Sequence, residues 1–180
     1  KHLLGTDEQG RDLTARMIHG SRVSIFIGFI AVAIYVTIGI IIGSIAGYYG
    51  GWIDIAISRL IEIIMCFPTF FLILTILALV GPNLVNVMVV IGITSWPGIA
   101  RIVRGEFMKL RETDFVVASR AIGARDAWII LRHILPNSLA PVLVSATFGI
   151  ASTILIESSL SFLGLGVQPP TPSWGDILSQ

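Results

Sequence analysis

The stretch that decides the fold is residues 112–137, ETDFVVASRAIGARDAWIILRHILPN, the one long charged segment between uncharged hydrophobic runs. Alanines recur at helical spacing within 118–124, and a second helical pattern occupies 127–135. Gly123 interrupts the pattern and suits the left-handed residue that follows a helix end. The stretch therefore predicts a helix, a tight bend and a second helix.

The ends of the two predicted helices carry residues that suit those positions. Thr113 or Asp114 can cap the first helix and Asp126 the second, because short polar side chains accept hydrogen bonds from free N–H groups. Pro136 biases Leu135 away from helical geometry and is predicted to close the unit. Small side chains in the bend let a partner approach closely, so we expect this surface to receive one.

The amino-acid composition is that of a membrane protein rather than a soluble one. Of 180 residues, 54% are hydrophobic and 13% charged, and a mean hydropathy of +0.88 exceeds what a soluble domain carries without aggregating. The net charge is +1 and the sequence contains no basic stripe with interleaved aromatics, so no nucleic acid partner is expected. The single cysteine, Cys66, lies in an apolar run and is predicted to be a buried, inert thiol.

Four apolar runs are predicted to cross the membrane, because about 20 apolar residues suffice to span a bilayer. These transmembrane helices are predicted at 23–47, 60–80, 84–105 and 138–158. Pro68 should kink the second of them, whereas Pro141 is tolerable in the first turn of the last.

Two sets of residues have spacings that predict contacts. Gly39, Gly43 and Gly47 form a smooth groove for close helix packing, with the lining of a passage as the alternative. Arg59 and Glu62 lie three residues apart and are predicted to pair at the polar end of the second span.

Short connections separate the spans. Residues 48–58 are predicted to form an aromatic, glycine-rich connection, with Tyr48, Tyr49 and Trp52 in the interfacial belt. The tripeptide Gly-Pro-Asn at 81–83 predicts a tight turn.

The basic residues orient the chain. Seven of its twelve Lys and Arg residues lie within 101–132, so the positive-inside rule places the segment 106–137 on the cytoplasmic side. Alternation then places 48–58 inside and 1–22, 81–83 and 161–180 outside, as periplasmic segments.

Polar residues near the outer ends of the spans are candidates for function. Asp12 can cap the helix that continues through Leu13. Glu157 lies where the last span ends, and a carboxylate at that depth is costly unless it is paired or wetted. It either faces the translocation pathway or a partner, or forms a solvated or hydrogen-bonded helix end. Trp174 is predicted to anchor the following loop at the interface.

Catalytic motifs are absent from the sequence. We find no Gly-x-x-x-x-Gly-Lys-Ser/Thr phosphate cradle, no His-Glu-x-x-His pair and no Gly-x-Ser-x-Gly turn. His2, His19 and His133 lie in different segments, so no metal site is predicted. An intramembrane enzyme would need a nucleophile and a base that face each other within the spans. The predicted spans contain only Cys66 and uncharged hydroxyl groups, so no catalytic residue is predicted.

Three further motifs follow one another along the chain: HLLGTDEQGRD at 2–12, AGYYGG at 46–51 and SFLGLGVQPP at 161–170. With residues 118–136, they resemble the dipeptide/oligopeptide/nickel permeases of ABC importers, the DppC/OppC type. In particular, 118–136 resembles the cytoplasmic EAA loop of that family. The chain departs from the EAA motif at Val117, where Glu is usual, and in having Ser119 as the second small residue.

The resemblance implies a fold and a function. The fold is an all-α membrane protein, a type I ABC importer permease bundle with a cytoplasmic EAA-type coupling helix-turn-helix. The chain, 1–180, would be a single permease domain and an internal fragment, with a membrane helix before Lys1 and another after Gln180. It would move di- or oligopeptides by alternating access, the alternatives being import of nickel or another small solute, or a nucleotide-independent channel.

The resemblance also implies partners. They are a homologous second permease subunit, two cytoplasmic ATPase subunits and an extracytoplasmic solute-binding protein. ATP and Mg would bind the ATPase subunits, with no cofactor in this chain. The bilayer would be the cytoplasmic (inner) membrane of a bacterium or archaeon, crossed several times.

Finally, the resemblance assigns site residues. The bend that docks on the ATPase would consist of Ala118, Ser119 and Gly123, with peripheral polar contacts from Arg120 and Arg125. The residues fixing it to the membrane helices would be Ile134, Leu135 and Pro136. Candidates for the translocation pathway or a periplasmic partner are Asp7, Arg11, Asp12 and Glu157.

Overall fold

The computed structural model describes residues 5–6, 10–167 and 172–178. The regular structure of these residues is helical, which confirms the all-α prediction. In chain order the helices are α1 (Leu13–Tyr49), α2 (Gly51–Met65), α3 (Thr69–Val80), α4 (Leu84–Leu110), α5 (Asp114–Ala121), α6 (Asp126–Ile129), α7 (Leu135–Phe162) and α8 (Trp174–Leu178). A π-helical turn, Ile130–Ile134, joins α6 to α7.

Within the described residues, three helical stretches are long and apolar enough to cross a membrane: Leu13–Tyr49, Leu84–Leu110 and Asp126–Phe162. Helices α2 and α3 meet the same criterion only together, and they are bent by 77° at the break between them. Pro68 lies in this break, where the sequence predicted a kink. Each long helix extends beyond the span predicted within it, so the membrane boundaries stay predictions.

The described residues divide into two compact units. The first draws on Lys1–Ile34, Thr69–Thr94 and Phe148–Gln180, and the second consists of Tyr35–Pro68 and Ser95–Thr147. The core of the first unit is aliphatic and is contributed by α1, α3, α4, α7 and the segment after α7. Its buried residues are Ile27, Ala31, Ile73, Leu77, Val87, Met88, Val90, Ile91, Leu160 and Val167.

In the second unit, the glycine stripe of α1 packs directly on α4, as the sequence predicted. The stripe consists of Gly39, Gly43 and Gly47. A Cβ atom on Gly43 would lie 2.5 Å from the carbonyl oxygen of Ala100, and one on Gly47 would lie 2.5 Å from Cβ of Phe107. Side chains on these positions would force the helices apart, so the stripe sets their close approach.

Three local predictions are confirmed. Gly81 has φ +93° in the turn before α4, and Asn83 Oδ1 accepts a hydrogen bond from the N–H two residues on, at 3.1 Å. Asp12 Oδ1 likewise accepts from a backbone N–H of the first turn of α1, at 3.0 Å. Arg59 Nη1 lies 2.6 Å from Glu62 Oε2, which confirms the predicted pair.

Two other predictions are wrong. The segment 48–58 is not a connection: α1 ends at Tyr49 and α2 begins at Gly51, so the turn is made by Gly50 and Gly51, with φ +65° and +55°. A glycine adopts this conformation without the steric cost that a side chain would bring. Cys66 is exposed rather than buried, because it lies in the break between α2 and α3 and not within a packed helix.

Candidate functional site

The segment 112–137 folds as predicted into a helix, a tight bend and a second helix. Gly123 has φ +81°. Its N–H donates a hydrogen bond to the carbonyl oxygen of Arg120 at 3.0 Å, and the N–H of Ala124 donates to the carbonyl oxygen of Ser119 at 3.1 Å. This pair of bonds is a Schellman motif, which satisfies the last carbonyl groups of α5 and requires the left-handed residue.

The bend presents apolar side chains to its surroundings. Ile122 is 84% exposed and Trp128 is 49% exposed. With Gly123, Ala124 and Arg125 they line a shallow cavity of about 330 Å³. Contiguous exposed apolar surface rimmed by charge is typical of a protein-interaction site.

The predicted docking residues differ in exposure. Ala118, Arg120, Gly123 and Arg125 are exposed. Ser119 is buried, and its hydroxyl donates to the carbonyl of residue 115 at 2.7 Å. The Ser119 side chain is thus bonded within α5 and is not on the exposed surface of the bend.

Beneath the bend lies Tyr48, from the last turn of α1. Its hydroxyl donates a hydrogen bond to Asp126 Oδ1 at 2.6 Å. The guanidinium carbon of Arg120 lies 5.6 Å from the centre of the Tyr48 ring, which is cation–π geometry. Tyr48 is buried, so its predicted place in the interfacial belt is wrong.

The caps of α5 and α6 differ from the prediction. Thr113 occupies the N-cap position of α5, but its side chain forms no cap hydrogen bond. For α6 the N-cap is Arg125, and Asp126 is the first helical residue. The prediction that Asp126 caps α6 is wrong, because its carboxylate accepts from the Tyr48 hydroxyl while remaining at the positive end of the helix.

Two arginines of the second unit, one in α4 and one just after its end, form contacts with neighbouring helices. Arg104 forms a bidentate pair with Asp54 of α2, through Nε to Oδ1 and through Nη2 to Oδ2 at 2.8 Å. Arg111 Nη1 donates to the carbonyl oxygen of Gly47 at 3.2 Å. Charge-assisted pairs of this geometry are stronger and more directional than neutral hydrogen bonds.

An aromatic cluster joins α5 to the π turn. The ring of His133 lies 4.6 Å from that of Trp128 and 6.2 Å from that of Phe115, measured between centres. These contacts hold the two arms of the bend together at the level of the π turn.

The helix does not end at Pro136, so that prediction is wrong. Leu135 is helical, with φ −56° and ψ −49°, and its N–H bonds to the carbonyl of Ile130, five residues back. The π turn widens the helix just before Pro136, where the proline ring would otherwise meet the preceding turn. Ile134 is fully buried, Leu135 is half-buried and Pro136 is exposed.

A second polar cluster occupies the first unit. Glu157 of α7 is fully buried, and its Oε1 accepts hydrogen bonds from Ser161 at 2.8 Å and from Ser173 at 2.9 Å. Arg16 Nη2 lies 2.6 Å from Asp176 Oδ2. Of the two interpretations of Glu157, these contacts favour the hydrogen-bonded helix end.

The segment around α8 is held by further contacts. The N–H of Trp174 donates to Ser24 Oγ at 3.1 Å, and its indole Nε1 donates to the carbonyl of Met17 at 3.3 Å. Residues 172–178, which we call the strap, are therefore tied to α1 and α7 by side chains.

The remaining predicted positions lie near the start of α1. Asp7 lies outside the described residues. Arg11 is exposed and Asp12 is half-buried. In the part of the chain that the structure describes, no group of three or more His, Cys, Asp or Glu side chains could hold a metal ion.

Sequence reasoning missed the long-range partners at both clusters: Tyr48 for Asp126, Asp54 for Arg104 and Asp176 for Arg16. The sequence did indicate that these charges need partners. A charge beside an apolar run needs a partner, and each of these charges lies on such a helix.

Comparison with known proteins assigns the family. Residues 39–180 match the family described as binding-protein-dependent transport system inner membrane component. The chain belongs to this family. It is 46% identical over 179 residues to the dipeptide transport system permease protein DppC of Alkalihalophilus pseudofirmus, covering 99% of this chain and 59% of that protein.

Other relatives are similar over the same extent. The oligopeptide permease protein OppC of Haemophilus influenzae is 44% identical, with 99% of this chain and 57% of that protein covered. The glutathione transport system permease protein GsiD of Pectobacterium atrosepticum is 40% identical, and the match covers 99% of this chain and 60% of that protein. The chain thus spans less than two thirds of the length of these relatives.

The fold is that of an ABC importer permease. A chain of the MetNI methionine ABC transporter in an inward-facing conformation superposes with a TM-score of 0.73 at 20% identity, covering 90% of this chain and 79% of that one. The predicted permease bundle is thereby confirmed.

Proposed function

We propose that this chain is the membrane-spanning part of a permease subunit in an ATP-binding-cassette importer for di- or oligopeptides. Its support is family membership, together with relatives named for dipeptide, oligopeptide and glutathione transport. Its place is the cytoplasmic membrane of a bacterium or archaeon, crossed several times by α1, α4, the helix Asp126–Phe162 and the bent pair α2–α3.

The bend is the surface on which a cytoplasmic ATPase docks. The observation that carries this proposal is the exposed apolar apex of Ile122 and Trp128, flanked by Arg120 and Arg125. From Asp126 the chain continues as helix to Phe162. A helix that begins at the docking surface and enters the membrane is suited to carry displacement inward.

The complex contains a homologous second permease subunit, two ATPase subunits that bind ATP and Mg, and an outer solute-binding protein. Alternation between inward and outward openings moves the solute, because helices packed through small residues shift between arrangements at little cost. Arg11 and Asp12, with Asp7, are candidates for contact with the binding protein. Glu157 is buried in the first unit and acts there by holding the strap.

The test is ATP-driven uptake by vesicles that contain the full-length subunit and all its partners. The variant is Gly123→Arg and its matched control is Gly81→Arg. Both glycines have positive φ, +81° and +93°, and neither has a heavy atom within 4 Å of an added Cβ. The two substitutions therefore impose the same backbone strain and add the same charge.

We expect Gly123→Arg to abolish ATPase association and uptake of a labelled dipeptide, and Gly81→Arg to preserve both. Association and uptake that persist in Gly123→Arg would refute docking at the bend. In wild-type vesicles, uptake of Ni²⁺ without peptide would overturn the substrate class, and flux without nucleotide would instead indicate a channel.

A further inference from the structure

Tyr48 contacts both arms of the bend at once. Its hydroxyl bonds to Asp126 in the first turn of α6, and its ring lies under Arg120 in the last turn of α5. Gly123 lies between these two residues in the chain. One side chain from α1 thus joins both helices that meet at the docking surface.

The environment of Tyr48 makes this connection stiff. The side chain is 5% exposed, whereas that of its neighbour Tyr49 is 52% exposed. A hydrogen bond from a buried hydroxyl to a carboxylate at 2.6 Å is charge-assisted, and such bonds are strong and directional. A displacement of α6 therefore either carries Tyr48 with it or breaks this bond.

The end of α1 that carries Tyr48 is itself firmly held. Gly47 packs against Phe107, and its carbonyl oxygen accepts from Arg111. Arg104 lies on α4 with Phe107, and it is paired with Asp54 of α2. A load applied at the bend would thus reach α1, α2 and α4 through side chains, in addition to the path along the chain into α7.

We infer that Tyr48 is a positioning residue for energy coupling: it transmits displacement of the docked bend to α1, so that α1 moves together with the helix Asp126–Phe162. This inference rests on the proposed function. Without the Tyr48 hydroxyl, the ATPase still docks on Ile122 and Trp128, but the hydrogen bond that carries displacement of α6 to α1 is lost.

The test compares Tyr48→Phe with Tyr49→Phe in the complete transporter. Each variant loses one hydroxyl and keeps its ring, so the two differ only in position. ATPase association, the rate of ATP hydrolysis and the number of peptides imported per ATP are measured in the same vesicles. We expect Tyr48→Phe to assemble and to hydrolyse ATP like wild type, but to import at least about five-fold fewer peptides per ATP. Tyr49→Phe should match wild type in all three.

A double-mutant cycle identifies the partner. Asp126→Ala should reproduce the loss, and the combination with Tyr48→Phe should be no worse than either alone, because both remove one bond. A wild-type ratio of peptide to ATP in Tyr48→Phe would overturn the inference, as would losses that multiply in the double variant. Failure of Tyr48→Phe to bind the ATPase would also overturn it, since the role would then be structural.

Failure of this inference is distinguishable from failure of the proposed function. If wild-type vesicles import no peptide with ATP, the proposed function fails. If they do, and Tyr48→Phe is unchanged while Gly123→Arg is inactive, docking stands and only the role of Tyr48 is refuted.

Discussion

Substitution of Gly43 by alanine measures how closely α1 and α4 pack. The added Cβ would lie 2.5 Å from the carbonyl oxygen of Ala100, 2.8 Å from Cβ of Val103 and 3.1 Å from Cα of Ala100. All three atoms are backbone or the first side-chain carbon, so none can rotate away and the helices themselves must separate. Overpacking of this kind costs about 1–3 kcal/mol.

Helix propensity acts in the opposite direction. Alanine is favoured over glycine within a helix by about 1 kcal/mol, so we expect a net loss of up to about 2 kcal/mol in the free energy of unfolding. The matched control is Gly105→Ala on α4, where an added Cβ meets no heavy atom within 4 Å. This control should be as stable as wild type or more stable, by up to about 1 kcal/mol.

Equilibrium denaturation in mild detergent, followed by tryptophan fluorescence, gives both differences. If Gly43→Ala and Gly105→Ala have the same stability, the backbone of α1 does not approach α4 as closely as the structure indicates. The packing argument for the glycine stripe would then be refuted.

Three further substitutions or reactions test the side-chain contacts. Asp54→Asn should lower the free energy of unfolding by about 2 kcal/mol in the same denaturation assay, because it leaves Arg104 without its paired charge. A loss below about 0.5 kcal/mol is typical of a solvated surface pair and would contradict this expectation. Asp176→Asn should cost about 3 kcal/mol in that assay, because its pair with Arg16 is buried, and wild-type stability would contradict that contact. Cys66 should take up one maleimide label in the folded, detergent-purified chain, as mass spectrometry would detect; labelling only after unfolding would show that the thiol is buried.

Local features of the fold were predictable because they depend on neighbours in sequence. The glycine stripe, the left-handed Gly123 and the pair of Arg59 with Glu62 follow from spacing alone. The break at Pro68 follows from its missing N–H.

The helix through Pro136 was not predictable in this way. A proline ordinarily ends a helix because its ring meets the carbonyl four residues back. Here the π turn Ile130–Ile134 absorbs that conflict, and no residue type marks a π turn in a sequence.

The centre of the candidate site was hidden for another reason. Tyr48 and Asp126 are 78 positions apart, and Arg16 and Asp176 are 160 positions apart. A single sequence gives the charge that needs a partner but not which residue the fold brings to it. The bend itself was predictable, because Gly123 and the small residues around it are contiguous in the sequence, whereas the exposure of Ile122 and Trp128 there was not predicted.

The most direct test of the central claim is photo-crosslinking from the apex of the bend. A photoreactive amino acid is placed at Ile122, and in a control chain at Val80, an exposed residue of the first unit. Illumination of the intact transporter in vesicles should link position 122, and not position 80, to an ATPase subunit. A transporter that imports peptide normally while position 122 forms no link to the ATPase would contradict the account.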